Sequence, residues 1–405
     1  MKSLESSQNK YFFILGSNPS LSVAELCAWF SSQGLAYKFI ATLGDFVIVN
    51  FNKQLLVSAL LQQLGGCIKF GKIISRLAYF PTTKDFKLNF SDTKKVYLGF
   101  SVYPSAQAKT NKQKLFKIGL ELKKELKQQG LACRLVTSRE TNLSAVVVAH
   151  NKLLTSQGKE FVILQSGNEF YIGETLEVQP FAEIGQRDYG RPARDSQSGM
   201  IPPKLAQMML NLSQIAPEEC LLDPFCGSGT IIQEAIWQGR QCIYGSDVSA
   251  KAVQDSQQNL LWLGEVFQKD LAGVHSILAD IKQLPEVKDL PRFAAIVTEP
   301  DLGNPRLTFG KTGQEVIRLR TLYINAYKAF SSLLLPRGKV VMVWPVFFEK
   351  YDLHLDDDIS ALGFRKIEVL SSQLQQTYSL NQNNNLYYAR ENQKVGREIT
   401  VWEKM

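Results

Sequence analysis

The stretch DPFCGSGT, Asp223 to Thr230, decides how this chain is read. It lies between a short apolar run at 220–223 and an apolar-periodic segment at 230–238, which makes it a strand-to-helix turn. Gly227 and Gly229 let the backbone pass close to a ligand, and the N–H groups of a helix N-terminus follow at once. Three cofactor classes use such a turn. A P-loop needs Lys-Ser or Lys-Thr after its last glycine, whereas Ile231 and Ile232 follow Thr230. A dinucleotide fingerprint needs a third small residue where Ile232 stands. Asp223, just ahead of the turn, opposes phosphate and suits a ligand carrying an amine or a sulfonium cation.

Working outward, strands and helices alternate. A helix starts at Pro202 or Pro203, where proline fits the first turn, and runs through KLAQMMLNL. Segments at 220–223, 230–238, 242–247, 251–263, 274–280, 293–298, 314–335 and 339–345 then alternate as in a parallel sheet with helices on both faces. Strands over 364–370, 386–390 and 398–403 close the chain, the last two as an antiparallel hairpin at the sheet edge. Asp247 ends the second strand (CIYGSD), eighteen residues past Gly229, where a carboxylate accepts both hydroxyls of a ribose. Asp280 ends the third (HSILAD), where an acid accepts from an adenine amino group. Acids ending three successive parallel strands meet at the carboxyl edge, where such sheets bind ligands. The three acids are either ordinary strand-end turns and helix N-caps or one ligand site, for which S-adenosylmethionine is the economical ligand.

The first 75 residues fit a β-α-β-β-α-β order, with strands over 11–16, 36–43, 46–51 and 67–74 and helices over 22–32 and 54–64. Gly44-Asp45 supplies the hairpin turn, and the order is that of a ferredoxin-like module. A lysine-rich link at 75–95 leads to a second α/β unit: strand 96–102, helix 112–129, strand 131–137, helix 142–154, strands 160–165 and 170–176. Leu115, Ile118, Leu122 and Leu126 share one face of the helix at 112–129, which marks it as core-packed. Residues 180–203 read as linker and turn.

Charge is unevenly spread along the 405 residues. Up to residue 180 there are 22 Lys and Arg against 12 Asp and Glu; beyond it there are 24 against 26. That asymmetry points to a polyanion bound by the N-terminal half, the alternative being a solubilising lysine surface. The longest apolar stretch, 340–348, is too short to span a bilayer, so no membrane association is expected. MKSLESSQNK lacks the apolar core of a signal peptide. Six cysteines without a CxxC pair and three scattered histidines argue against a metal site and against a disulfide framework. A reduced, cytoplasmic setting is expected.

DPFCGSGT with Asp247 and Asp280 resembles the cofactor site of class I methyltransferases that act on amino groups. FYIGETLEVQPFAEIGQRDYGRP, GMIPPKLAQMMLNL and VGREITVWEK extend the resemblance over nearly the whole chain, to the THUMP-domain RNA methyltransferases and nearest to the tRNA guanosine(10)-N2 enzymes. It implies a ferredoxin-like domain at 1–80, a THUMP RNA-binding domain at 81–178 and a Rossmann-like methyltransferase domain at 179–405, the first two gripping tRNA. It also implies cofactor contacts from Asp223, Phe225, Cys226, Gly227, Gly229, Asp247, Val248, Asp280 and Ile281. The need for a small activating subunit stays open.

IVTEPDLGNP, Ile296 to Pro305, holds the position at which this family carries Thr-Asp-Pro-Pro-Tyr-Gly or a near relative. Thr298, Pro300 and Gly303 match; Glu299 replaces Asp, Asp301 replaces proline and Leu302 replaces the aromatic. An exocyclic base amine is a poor nucleophile because its lone pair is delocalised into the ring. A carboxylate and the proline carbonyl accept its two protons and turn the lone pair toward the methyl group. Glu299 and Pro300 are therefore the catalytic candidates. The missing aromatic leaves base stacking to Phe309, Trp344 or Phe347. Asp301 is a new acceptor or a turn cap. Cys226 packs the cofactor turn or serves as a nucleophile, and Arg187, Arg191 and Arg194 meet phosphates or pair with Asp188 and Asp195. The leading function is methylation of guanosine N2 in tRNA; its rivals are an rRNA or DNA amino-methyltransferase and an inactive tRNA-binding relative.

Overall fold

The computed structural model describes residues 9–55, 59–90, 93–104, 108–194, 200–304, 312–348, 352–389 and 395–405. The chain divides into two compact units, Met1–Pro19 with Gly34–Phe181 and Ser20–Gln33 with Ala182–Met405.

The first unit is built on one eight-stranded sheet. Its strands are β1 (Lys10–Leu15), β2 (Tyr37–Leu43), β3 (Phe46–Phe51), β4 (Cys67–Leu77), β5 (Lys95–Tyr103), β6 (Ala132–Val136), β7 (Gly158–Ser166) and β8 (Glu169–Val178). They lie in the order β2-β3-β1-β4-β8-β7-β5-β6. The first four keep the arrangement of a ferredoxin-like module, and β4 pairs antiparallel with β8, so strands from 1–80 and from 81–178 share one continuous sheet. Helix α2 (Ala108–Gln128) packs Leu115, Ile118, Leu122 and Leu126 into the core, the face that its 3.6-residue period predicts. A short α3 (Ala145–His150) follows, its first turn capped by the Ser144 hydroxyl.

The helix expected at 54–64 does not form in its described part, where only a single 3-10 turn spans Leu60–Gln62. The Leu61 N–H donates to the Glu177 carboxylate at 2.9 Å instead of to a helical carbonyl. Leu55, Leu60, Leu61 and Leu64 are nevertheless buried, so the apolar pattern was satisfied without the helix.

The second unit starts, unexpectedly, inside the N-terminal region. Helix α1 (Pro19–Ser32) stands between β1 and β2 in the chain, yet from Ser20 onward it belongs here. The Asn211 side chain donates to Glu25 of this helix at 2.8 Å, and the Ser20 hydroxyl donates to the Ser379 carbonyl at 2.8 Å. After α4 (Phe181–Tyr189) and α5 (Pro203–Ser213) comes the alternation β9 (Leu221–Asp223), α6 (Thr230–Trp237), β10 (Ile243–Asp247), α7 (Ala250–Phe267), β11 (Val274–Leu278), β12 (Phe293–Thr298), α8 (Thr312–Leu333) and β13 (Leu334–Phe347). The chain ends through α9 (Asp356–Ala361), β14 (Phe364–Lys366), α10 (Ser372–Gln375), β15 (Leu386–Tyr388) and β16 (Val395–Lys404). The order is β11-β10-β9-β12-β13-β16-β14, with β15 on β16. Strands β9 to β13 run parallel, while β16 is antiparallel to both β13 and β15, which forms the expected edge hairpin.

Two further expectations are corrected. Residues 181–189, read as linker, are helical because Arg187 on α4 is buried in a fork with Glu234 of α6, at 2.7 and 2.9 Å, and lies over the Trp237 ring at 3.8 Å. The cysteines are not all free thiols: Cys220 and Cys242 form a disulfide. They precede adjacent parallel strands, where the Leu221 N–H donates to the Cys242 carbonyl, so the fold brings together residues 22 positions apart. Among the described residues no helix is long and apolar enough to cross a membrane.

Candidate functional site

In the second sheet the chain runs outward from β9 through β10 to β11, then returns to place β12 on the other side of β9. The reversal lies between β9 and β12, and it is at such a switch point that open parallel sheets bind ligands. Asp223 ends β9 and Glu299 follows β12, so two carboxylates flank the crevice. A cleft of about 450 Å³, open to solvent, is lined by both acids together with Phe225, Cys226, Gly227 and Ser228 among others.

Asp223 is 2% exposed. Its Oδ1 accepts from the Thr298 hydroxyl at 2.7 Å and from the Phe225 N–H at 3.3 Å. Burial, with the charges of Asp247 and Glu299 nearby, pushes its carboxyl up to about 7 despite those two donors. Thr298, whose fit to the motif the sequence showed without a role, thus holds the acid of the neighbouring strand.

The turn itself is tight. Gly229 sits at φ +84°, and a Cβ there would meet the Ser256 hydroxyl at 2.4 Å. The Gly227 N–H donates to Asp247 Oδ2 at 3.0 Å, and the Ser249 N–H donates to Asp247 Oδ1 at 2.9 Å. Asp247 is therefore oriented by the glycine turn on one side and by the start of α7 on the other. Each oxygen keeps a further lone pair for a ligand. Asp280 is half-buried and its Oδ1 accepts from the Lys282 N–H at 2.8 Å. Val248 is 68% exposed beside Asp247, whereas Ile281 is packed in the core that also holds Leu284 and Phe293.

The cleft fits a cationic cofactor. Among the described residues its lining holds two carboxylates and no lysine or arginine, a donor set that repels phosphate and attracts a sulfonium or an ammonium group. Cys226 is not an activated nucleophile: burial and the Asp223 and Asp247 charges push its thiol far up, so it stays protonated.

Glu299 is held by a residue that sequence reading did not single out. Arg397 of β16 donates from Nε to Oε2 at 2.5 Å and from Nη2 to Oε1 at 3.0 Å. The two side chains are 7% and 9% exposed. Burial works against the guanidinium charge and the Glu299 contact outweighs it, holding Arg397 above its ordinary range. The one signal was a charged pair, Arg397-Glu398, inside the strand pattern VGREITVW.

Pro300 is buried directly after Glu299. Asp301 turns out to be a turn cap. Its Oδ1 accepts from the Gly303 N–H at 2.8 Å and its Oδ2 pairs with Arg318 at 2.7 Å, on the exposed side. Gly303 lies at φ +86°, with Phe347 and Glu315 where a Cβ would go, which is why glycine stands there. The stacking aromatic is not restored by Trp344 or Phe347. Trp344 stacks on Trp402 with centroids 6.0 Å apart, and Phe347 is fully buried. Phe309 lies outside the described residues. Of the three arginines, Arg187 is committed to Glu234 and Arg191 donates to the Thr230 hydroxyl at 2.6 Å. Arg194 sits over the Tyr189 ring at 5.2 Å, and Asp195 is outside the described residues.

Two family models match the chain: a DNA methylase over residues 38–258, more than half of it, and an RMKL-like methyltransferase domain over residues 191–350. Among curated relatives, a tRNA (guanine(10)-N2)-dimethyltransferase of Methanothermobacter thermautotrophicus is 34% identical over 120 residues, 30% of this chain and 33% of the relative. A tRNA (guanine(6)-N2)-methyltransferase of Thermus thermophilus is 27% identical over 179 residues, 44% of this chain and 47% of the relative. The chain thus spans between a third and about half the length of these relatives. The crystal structure of TrmN from Thermus thermophilus superposes with a TM-score of 0.54 at 17% identity, covering 98% of this chain and 100% of that one, a likeness of fold.

Proposed function

The chain belongs to the class I S-adenosylmethionine-dependent methyltransferases that these two family models describe, and on that premise we propose that it methylates an exocyclic amino group of tRNA, guanosine N2. The observation that carries the proposal is the pair of carboxylates at the switch point, with a proline directly after the second. That arrangement serves an amine nucleophile opposite a cationic methyl donor. The relatives' names support guanine in tRNA; because they specify two positions, ten and six, the nucleotide is left to experiment.

S-adenosylmethionine would supply a methyl group on a positively charged sulfur. Asp223 would face that charge, Asp247 would accept from the ribose hydroxyls and Asp280 from the adenine amine, with Phe225, Cys226, Gly227, Gly229, Val248 and Ile281 shaping the turn and its surroundings. Glu299 and the Pro300 carbonyl would accept the two amine protons of the base, so that its lone pair turns toward the methyl carbon. A base taken from a duplex must first be flipped out of the stack. The lysine-rich segment 84–127 and the regions 1–80 and 81–178, ferredoxin-like and THUMP in character, would hold the tRNA by its phosphates, in the cytoplasm.

The test is methyl transfer from labelled S-adenosylmethionine to unmodified total tRNA, followed by nucleoside mass spectrometry. N2-methylguanosine is the expected product. Methylated adenine or cytosine in DNA, with tRNA untouched, would replace the proposal with the DNA methylase that one family model describes. Tight tRNA binding without transfer, also after addition of cell extract to supply an activating subunit, would replace it with an RNA-binding protein.

A further inference from the structure

Glu299 differs from the aspartate of related motifs by one methylene, which gives its carboxylate an extra rotatable bond and more positions to occupy. An amine that must be aligned with a methyl group needs its acceptor in one place, because a displacement of about 1 Å costs roughly 100-fold in rate. The structure places a restraint where the longer side chain would otherwise wander. Arg397 is two strands away from Glu299, separated by β13, a span of about 10 Å between strand axes. Its ladder partners are Pro345 on β13 and Tyr388 on β15. From there the guanidinium reaches Glu299 and grips both oxygens, at 2.5 and 3.0 Å, out of solvent.

We infer that Arg397 is the positioning residue of the transfer site, a forked clamp that converts the longer Glu299 into a fixed acceptor for the target amine. The inference rests on the proposed amino-methyl transfer. The fork occupies one lone pair on each Glu299 oxygen and leaves another on each, so Glu299 can still accept from a base amine in the cleft that it lines. The clamp also compensates one of the two negative charges flanking that cleft. Held in this way, Glu299 aligns the amine and does not store its proton. As the amine lone pair forms the new N–C bond, the C–S bond breaks with its electron pair going to sulfur. The proton on the methylated nitrogen then leaves to water in the open cleft.

The experiment compares full-length wild type, Arg397→Lys, Arg397→Ala and Glu299→Gln for kcat and KM toward tRNA, for S-adenosylmethionine affinity by calorimetry and for thermal unfolding. Arg397→Lys keeps the charge and loses the fork. It is expected to lower kcat about 100-fold while KM, cofactor affinity and melting stay near wild type. Added guanidinium at millimolar concentration should recover part of the Arg397→Ala activity. If that variant does not fold, the lysine variant carries the test. A lysine variant within twofold of wild-type kcat, beside an inactive Glu299→Gln, would overturn the inference and leave the function intact. A lysine variant that lost cofactor affinity with kcat unchanged would overturn it as well. A wild-type protein that transfers no methyl group to any nucleic acid would instead overturn the function on which the inference stands.

Discussion

On the proposed function, Asp223 is the residue whose charge would decide when the cleft accepts a cation. With its carboxyl pushed up to about 7 by burial and by Asp247 and Glu299, the unliganded protein holds a proton there at mildly acidic pH. A positively charged cofactor favours the ionised form, so binding must expel that proton whenever the pH lies below about 7. S-adenosylmethionine affinity should therefore fall about tenfold per pH unit below neutrality and level off above it. Calorimetric titration from pH 5.5 to 8.5 checks this, and Asp223→Asn should flatten the curve. Glu299→Gln keeps shape and loses charge; it should lower kcat at least about 100-fold. Asp223 was legible in the sequence because an acid ahead of a glycine turn has few other uses. Arg397 was not, since nothing in a linear pattern shows which side chain a strand two positions away will reach.

The turn at 223–230 works as an element because both its glycines, Gly227 at φ +50° and Gly229 at φ +84°, hold left-handed backbone, and at Gly229 a side chain would not fit either. At Gly229 the backbone is left-handed and a Cβ would lie 2.4 Å from the Ser256 hydroxyl and 3.2 Å from its Cβ. Gly229→Ala should destabilise the second unit by about 1–3 kcal/mol, read as a lower urea midpoint at an unchanged slope. It should also weaken cofactor binding, since the Gly227 N–H that orients Asp247 belongs to the same turn. Elements with a strong period were legible. Helix α2 buries Leu115, Ile118, Leu122 and Leu126, and the parallel alternation from β9 to β13 follows its apolar runs. The failures share a cause in partners distant along the chain. Glu177 takes the Leu61 N–H that a helix at 54–64 would have used, and Glu234 organises α4 through Arg187.

At the scale of the whole molecule, the second unit is not a C-terminal fragment, because most of α1 belongs to it. Leu21, Val23, Leu26 and Phe30 of that helix are at most 1% exposed, and Glu25 pairs with Asn211 in the same unit. Burying each apolar side chain is worth about 1.5–3 kcal/mol, against about 5–15 kcal/mol for a whole domain. A fragment of residues 182–405 should therefore show no cooperative unfolding transition by circular dichroism, and a synthetic peptide of residues 17–33 should restore one. A cooperative, unassisted fragment would show that α1 is dispensable. The sequence by itself determined the fold class, the glycine turn at 223–230 and the placing of acids at or just after the ends of three successive parallel strands. Each of these is a local pattern, written in the period of buried residues and in the few residue types that a turn or a charge will accept. The tertiary structure alone decided the membership of α1, the Cys220–Cys242 bond, the protonated state of Cys226 and the clamp of Arg397 on Glu299. Those depend on which strands become neighbours and how far water is excluded between them, and both are properties of the packed chain.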